Sequence, residues 1–214
     1  MEIIGQTLNI SKNKKIGLLL SGGFDSALLL HLICLHNDDS EIILFTLDKR
    51  DGSTTHINKI IENNDFRSNN YTKVTIPYDP EIDETKYTLG LSGRKAYNWV
   101  FANHSDDFEV LYSGNTTNPP EGVITFRLPT IFYAAPDRTR AETVEKTNSK
   151  FVTPFSKLTK KDTVRMVHEL NLDYIVEHSH TCTTTDGGRC TDCWQCKERE
   201  WGFQQNNLVD FGTN

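Results

Sequence analysis

The sequence predicts an α/β protein: a Rossmann-like, doubly wound parallel sheet carrying a small C-terminal four-cysteine lobe. Three observations carry this. Short apolar runs such as KIGLLL (15–20) and EIILFTLD (41–48) suit strands buried on both faces, as parallel strands are. Stretches of helical character follow the runs one for one, the alternation that builds parallel βαβ units. Four of the five cysteines crowd into residues 182–196, too dense for chance and too local for a main core.

Taken in order, KIGLLL is the first main strand, and DSALLLHLICLH (25–36) is apolar nearly all round, a buried helix. EIILFTLD is the second strand. THINKIIENND (55–65) sets Ile57, Ile60 and Ile61 at helical spacing. YTKVTIPY (71–78) alternates as a third strand, GRKAYNWVFANH (93–104) is a helix, and FEVLYSGN (108–115) is a fourth strand ending in a polar turn. TNPPEGVITFRLP (117–129) is proline-rich and loop-like, and RTRAETVEKTNSK (138–150) has weak helical character. In TKKDTVRMVHELN, Thr159 is an N-cap with Asp162 three residues on, and Val164, Val167 and Leu170 form the apolar face. LDYIVEHS (172–179) is expected to be a short strand or extended piece, and CKEREWGFQQNN (196–207) a final helix. The expected division is residues 1–179 for the α/β domain and 180–214 for the cysteine segment.

A length of 214 residues suffices for one sizeable core. The formal charge of −6, with no long basic run, argues against non-specific nucleic-acid binding as the main activity. No apolar stretch reaches the roughly 20 residues that span a bilayer, and MEIIGQTLNISKNKK lacks the apolar core of a secretory leader. The expectation is a soluble, cytoplasmic protein with no membrane partner.

The loop SGGFDS, Ser21 to Ser26, joins the first strand to the first helix. Glycines allow a tight turn and close approach of a ligand. The unpaired N–H groups of the helix start, with the helix dipole, make an anion site. Such a loop lies where open α/β sheets bind ligands. It lacks the lysine of GxxxxGK[ST] and the spacing of GxGxxG, so neither ordinary phosphoryl transfer nor hydride transfer is indicated. A plain strand-to-helix turn is the bland alternative. Asp25 suits either a Mg²⁺ contact or a cap of the helix start.

Cys182, Cys190, Cys193 and Cys196 offer four thiolates within 15 residues. In a reducing compartment this pattern indicates metal rather than disulfides. Four thiolates suit one tetrahedral, closed, structural zinc. The run CxxCxxC leaves an iron–sulfur cluster as the alternative. Cys34, inside the first helix, is expected to be a small buried hydrophobe.

Ser21-Gly22-Gly23-Phe24-Asp25-Ser26 resembles the SGGxDS signature of PP-loop ATP pyrophosphatases, whose fold is the adenine nucleotide alpha-hydrolase-like sheet. SHTCTTTDGGRCTDCWQCKEREWGFQQ resembles the C-terminal zinc segment of 7-cyano-7-deazaguanine synthases. TPFSKLTKKDTVRMVHELNLDY resembles that family's Pro-x-x-x-Leu-Thr-Lys helix entry, SGRKAYNWVF its Pro-Gly-Arg-Asn helix start, and His56 falls where the family often has a histidine. The resemblance implies an ATP-dependent ligase that adenylates 7-carboxy-7-deazaguanine and uses ammonia to make 7-cyano-7-deazaguanine, releasing AMP and pyrophosphate. It implies ATP, Mg²⁺ and one structural Zn²⁺, a homodimer, and no direct nucleic-acid partner. Ser21, Gly22, Gly23, Asp25 and Ser26 would hold ATP phosphates and Mg²⁺, with Asp48 and Asn115 as further nucleotide candidates. Asp25, Arg94 and Lys160 are the catalytic candidates, the two cations holding pyrophosphate or carboxylate. Trp201 and Phe203 would lie at an interface or pack on the cysteine lobe. Ser113-Gly114-Asn115-Thr116-Thr117-Asn118 departs from the family's Gly-x-Asn-x-x-Asp turn, and PPEGVITFRLP, with Arg127, replaces its base-reading stretch.

Overall fold

The computed structural model describes residues 1–47, 53–77, 91–124, 148–182 and 188–212. Asp48, Arg127 and most of the 138–150 stretch lie outside the described residues.

Five strands form one parallel sheet: β3 (Lys15–Leu19), β4 (Glu41–Leu47), β5 (Asn70–Ile76), β6 (Val110–Ser113) and β7 (Phe151–Val152). Their order is β5-β4-β3-β6-β7, and every pairing is parallel. Within this sheet the chain enters at β3, winds outward through β4 and β5, then crosses back to β6. The winding reverses between β3 and β6, and that switch point opens a crevice at the carboxyl ends of both strands. β1 (Glu2–Ile3) and β2 (Gln6–Thr7) make a separate hairpin turned by Ile4 and Gly5, both at positive φ. Strands this short show no period in sequence, so the hairpin is a finding of the structure.

The two-residue period of the strands splits the core. Ile16, Leu18, Ile42, Leu44, Val110 and Tyr112 face one layer. It contains α1 (Phe24–His36), α2 (Ser53–Asn63), α4 (Lys160–Glu169) and α5 (Asp173–His178). Ile43, Phe45, Leu47 and Leu111 face the other, packing on Phe108 and on Ala96 and Val100 of α3 (Leu91–His104). Gly17 points into this second layer, where a Cβ would stand 2.9 Å from Leu111 Cδ1 and 3.2 Å from the Phe45 and Phe108 rings. The strand runs between those side chains only as glycine.

The apolar circumference of α1 is accounted for by burial: Leu28, Leu29, Leu30, Leu32, Ile33 and Cys34 are all fully buried. Burial also pushes the Cys34 thiol up to about 11, so it is a packed hydrophobe as expected. The start of α4 is fixed by Asp162, whose carboxylate accepts from the Thr159 N–H and Oγ, both at 2.8 Å. At its far end Asn171 takes a left-handed φ of 56°, reversing the chain into α5. The expected strand at 172–179 is therefore corrected to a helix, Asp173–His178. Its short apolar run fits either period. What decides is its place between α1 and α2, where Ile175 and Val176 are buried.

The last helix, α6 (Trp194–Gln204), begins before Cys196 rather than at it. It packs on α4, and Phe203 joins the main core, so that ring is a core residue and not an interface residue. Beyond it the chain folds back through Asp210, which accepts from Arg199 and Arg189. Burial alone would raise the Asp210 carboxyl, but the hydrogen bonds and charge of Arg199, then Arg189, outweigh it and hold the carboxyl below the usual carboxylate range. A depressed carboxyl stabilises the fold above its unfolded pKa, and that contribution is lost as pH falls through the folded value. The stability difference between the parent and Asp210→Asn, read by urea unfolding, is expected to be full at neutral pH. It should shrink as pH drops below about 4.

Candidate nucleotide site and four-thiol centre

The loop Ser21–Ser26 leaves β3 at the switch point and opens α1. Gly22 adopts φ 79°, the left-handed region that glycine tolerates. The serines brace the turn from within. Ser26 Oγ donates to the Gly23 carbonyl at 3.0 Å and lies 3.1 Å from Ser21 Oγ, while Gly23 N–H donates to Ser21 Oγ at 3.3 Å. Both hydroxyls thus take part in the loop's own hydrogen bonds, Ser26 buried and Ser21 exposed.

Asp25 does not cap its own helix. Among the described hydrogen bonds its carboxylate accepts from the Lys160 ammonium and, at 3.0 Å, from Thr163 Oγ1. Lys160 is itself buried, and its Nζ stands 5.5 Å from the centroid of the Phe24 ring. The structure thus brings together two of the three predicted catalytic residues, as partners of each other. Thr163 was not predicted. It sits one turn after Lys160 on α4, a spacing that puts both on one face, but only the packing of α4 against the loop shows what that face meets.

Two glycines make the approach possible. A Cβ on Gly114, in the turn after β6, would lie 2.9 Å from Asp25 C and from Ser26 N. A Cβ on Gly202 of α6 would lie 2.7 Å from Lys160 Cγ and 2.9 Å from the Lys160 carbonyl oxygen. Both carboxyl-end turns of the switch point therefore lie in contact, and α6 clamps the stem of the lysine. Asn115 is exposed beside this turn and donates to Ser113 Oγ at 3.2 Å. Arg94 is exposed in the first turn of α3, with no contact to the loop among the described interactions.

Behind the loop, the His180 N–H donates to the Gly22 carbonyl at 2.9 Å. The His56 ring stacks on His180 at 4.9 Å and donates from Nδ1 to the His178 carbonyl at 2.8 Å. His56 is buried and is thus placed against the segment that supports the loop.

The four thiols converge as their spacing requires. Sγ atoms of Cys182, Cys190, Cys193 and Cys196 lie within 4.8 Å of one another, with Cys190 and Cys196 at 4.0 Å. Four sulfurs about 2.3 Å from a tetrahedral zinc stand about 3.8 Å apart, so the set fits such an ion. Backbone N–H groups of Asp192 and Cys193 donate to the Cys190 sulfur at 3.5 and 3.1 Å, the outer support that ligated thiolates use. Hydrogen bonding to Cys182, then to Cys193, together with burial, raises the Cys196 thiol strongly. Crowded sulfurs of this kind deprotonate together only around a cation. Four thiolates are enough to fill the four positions of a tetrahedral ion, the ligand count of closed sites.

No helix among the described residues is long and apolar enough to cross a membrane. Residues 130–207 match the family model of the queuosine biosynthesis protein QueC. The chain is 26% identical over 234 aligned residues to a 7-cyano-7-deazaguanine synthase from Syntrophus aciditrophicus (strain SB), covering 94% of this chain and 97% of that one. Its fold is similar to that of the NMN synthetase from Francisella tularensis, at a TM-score of 0.50 and 13% identity, over 92% of this chain and 79% of that one. The family match covers the cysteine end of the chain, and the similarity to the synthase runs over nearly its whole length at modest identity, so both comparisons point to the 7-cyano-7-deazaguanine synthase family.

Proposed function

We propose that the protein is an ATP-dependent carbon–nitrogen ligase that converts 7-carboxy-7-deazaguanine and ammonia into 7-cyano-7-deazaguanine, releasing AMP and pyrophosphate. The observation that carries this is the joining of a lysine-free SGGFDS loop at the sheet's switch point to a C-terminal four-thiol centre in one chain. The chemistry is leaving-group activation. A carboxylate oxygen attacks the α-phosphate of ATP and pyrophosphate leaves. Ammonia displaces AMP to give an amide and a proton. The amide oxygen is adenylated in the same way, and loss of AMP and a proton forms the nitrile. Two AMP and two pyrophosphate result per nitrile.

The chain supplies position and charge. Ser21, Gly22, Gly23 and Ser26 cradle the pyrophosphate half, on the N–H groups at the start of α1. Asp25 and Lys160 neutralise each other before substrate arrives. Asp25 would hold Mg²⁺, which would supply charge neutralisation for the phosphates, and Lys160, freed from the pair, would hold the leaving pyrophosphate. Asn115, on the facing turn, contacts the nucleotide, and Asp48 is a second contact to it. Arg94 holds the acceptor's carboxylate. Cys182, Cys190, Cys193 and Cys196 hold one zinc, which fixes the last segment and supplies no chemistry to the reaction. Cytoplasmic location and a homodimer complete the proposal.

The test is a discharge assay on the full chain with Mg·ATP, ammonium and the 7-deazaguanine acid, following AMP and the nitrile by chromatography and mass. The expected ratio is two AMP per nitrile. AMP release that does not depend on the acid overturns the substrate assignment. The replacement of the family's base-reading stretch by PPEGVITFRLP, residues 119–129, favours one second reading, adenylation of a different acceptor. AMP formation with another acid, amide or tRNA base in the same assay would establish it.

A further inference from the structure

Phe24 occupies the one position that the SGGxDS signature leaves open. Its ring does not face the crevice. It is buried and turned toward α6, meeting the Phe203 ring edge-on at 6.0 Å and the Arg199 guanidinium at 5.2 Å. Arg199 follows Cys196 by one helical turn, and Phe203 follows by one more, so the three residues share a stripe of α6. Arg199 is almost wholly buried, at 1% exposure.

Its fork is fully engaged. Nε and Nη2 donate to the Asp210 carboxylate at 2.8 and 3.0 Å. Nη2 also donates to the Val176 carbonyl at 2.8 Å, and Nη1 to the Ser179 carbonyl, Ser179 Oγ and Thr181 Oγ1 at 2.9 to 3.1 Å. These acceptors flank His180, the residue whose N–H holds the Gly22 carbonyl of the loop. Arg199 therefore grips the loop twice, through the Phe24 ring and through the 176–181 segment. Cys193 caps α6 and Cys196 lies in its first turn, so whatever fixes the thiols fixes the register of the arginine.

We propose that Arg199 is a positioning residue for the nucleotide: through its contact with Phe24 it transmits the order of the four-thiol centre to the SGGFDS loop. The inference rests on the ATP-binding reading of that loop. Coupling between two sites is reciprocal in free energy. An ordered metal centre strengthens nucleotide binding, and bound nucleotide tightens the hold on the metal by the same factor, read as metal retained against a chelator at equilibrium.

The experiment uses zinc-loaded full-length protein, Mg·ATP titrated by calorimetry without acceptor, and zinc retained at equilibrium against a colorimetric chelator with and without Mg·ATP. Phe24→Leu leaves the hydrogen-bond partners of Arg199 in place and removes the ring face that both Arg199 and Lys160 meet, so the double variant with Arg199→Lys identifies the share carried by the arginine. Phe24→Leu alone is expected to retain the parent's zinc content, to bind Mg·ATP on the order of tenfold more weakly, and to lose much of the protection that nucleotide gives the metal. Arg199→Lys keeps the charge without the fork, and the double variant is expected to lose less affinity than the product of the two single losses. Parent protein that binds no Mg·ATP would overturn the ATP reading itself. If the parent binds, unchanged affinity and unchanged metal protection in Phe24→Leu, or fully multiplicative single losses, would overturn the role of Arg199 and leave that reading standing.

Discussion

Cys193→Ser is expected to release the bound metal and to destabilise the protein by at least about 3 kcal/mol. Cys193 is buried, lies at the N-cap of α6, and belongs to the four-cysteine group that could hold a metal ion. Structural zinc contributes its binding energy to folding, so losing one of four thiolates removes more than the packing of one sulfur. Because α6 carries Gly202 against Lys160 and Phe203 against Phe24, the loss should spread to the nucleotide loop. Metal analysis should fall from about one ion per chain toward none, and the urea midpoint should drop with it. Cys34→Ser is the matched control: it buries a hydroxyl in the core at a cost of about 1–3 kcal/mol and leaves the metal content unchanged. Iron and an iron–sulfur absorption band in the parent would replace zinc in this account while leaving the ligand set intact.

Lys160→Met is expected to lower AMP formation by about a hundredfold or more and to destabilise the fold by about 3–5 kcal/mol. The substitution keeps an unbranched stem against Phe24 and Gly202 but leaves the Asp25 carboxylate without its cation. Removing one partner of a buried pair exposes the other to the full cost of its burial. Lys160→Arg should not restore the activity. The stem is packed where a Cβ on Gly202 would stand 2.7 Å from Lys160 Cγ, and a broad, planar guanidinium does not reproduce the compact ammonium that meets Asp25. Chemical denaturation and the AMP assay together separate the two effects. AMP formation at the parent's rate by Lys160→Met would remove the lysine from the nucleotide site.

Much of this arrangement was legible because it rests on local rules. The β3, β4 and β6 runs are apolar on both faces, and only a parallel sheet covered by helices buries both. The loop between β3 and α1 and the CxxCxxC run are contiguous patterns whose geometry follows from spacing. Asp162 capping at Thr159 was equally local. The 172–179 segment was misread as extended because six residues cannot distinguish the two periods, and its helix is fixed by α1 and α2. The partner of Asp25 was unreadable for another reason: Lys160 and Thr163 stand more than 130 residues away in sequence, and no pattern in either segment points to the other.

The sequence by itself determined the parallel α/β sheet, the Gly-rich strand-to-helix loop and the grouping of the four cysteines, since periodicity, turn geometry and residue spacing act within a few residues. Only the tertiary structure decided that Asp25 is ion-paired to Lys160, that Gly114 and Gly202 admit that pair, and that Phe24 turns away from the crevice toward Arg199. Those are consequences of how α4 and α6 pack on the loop, and packing between distant segments is settled by shape and burial once the whole chain has folded.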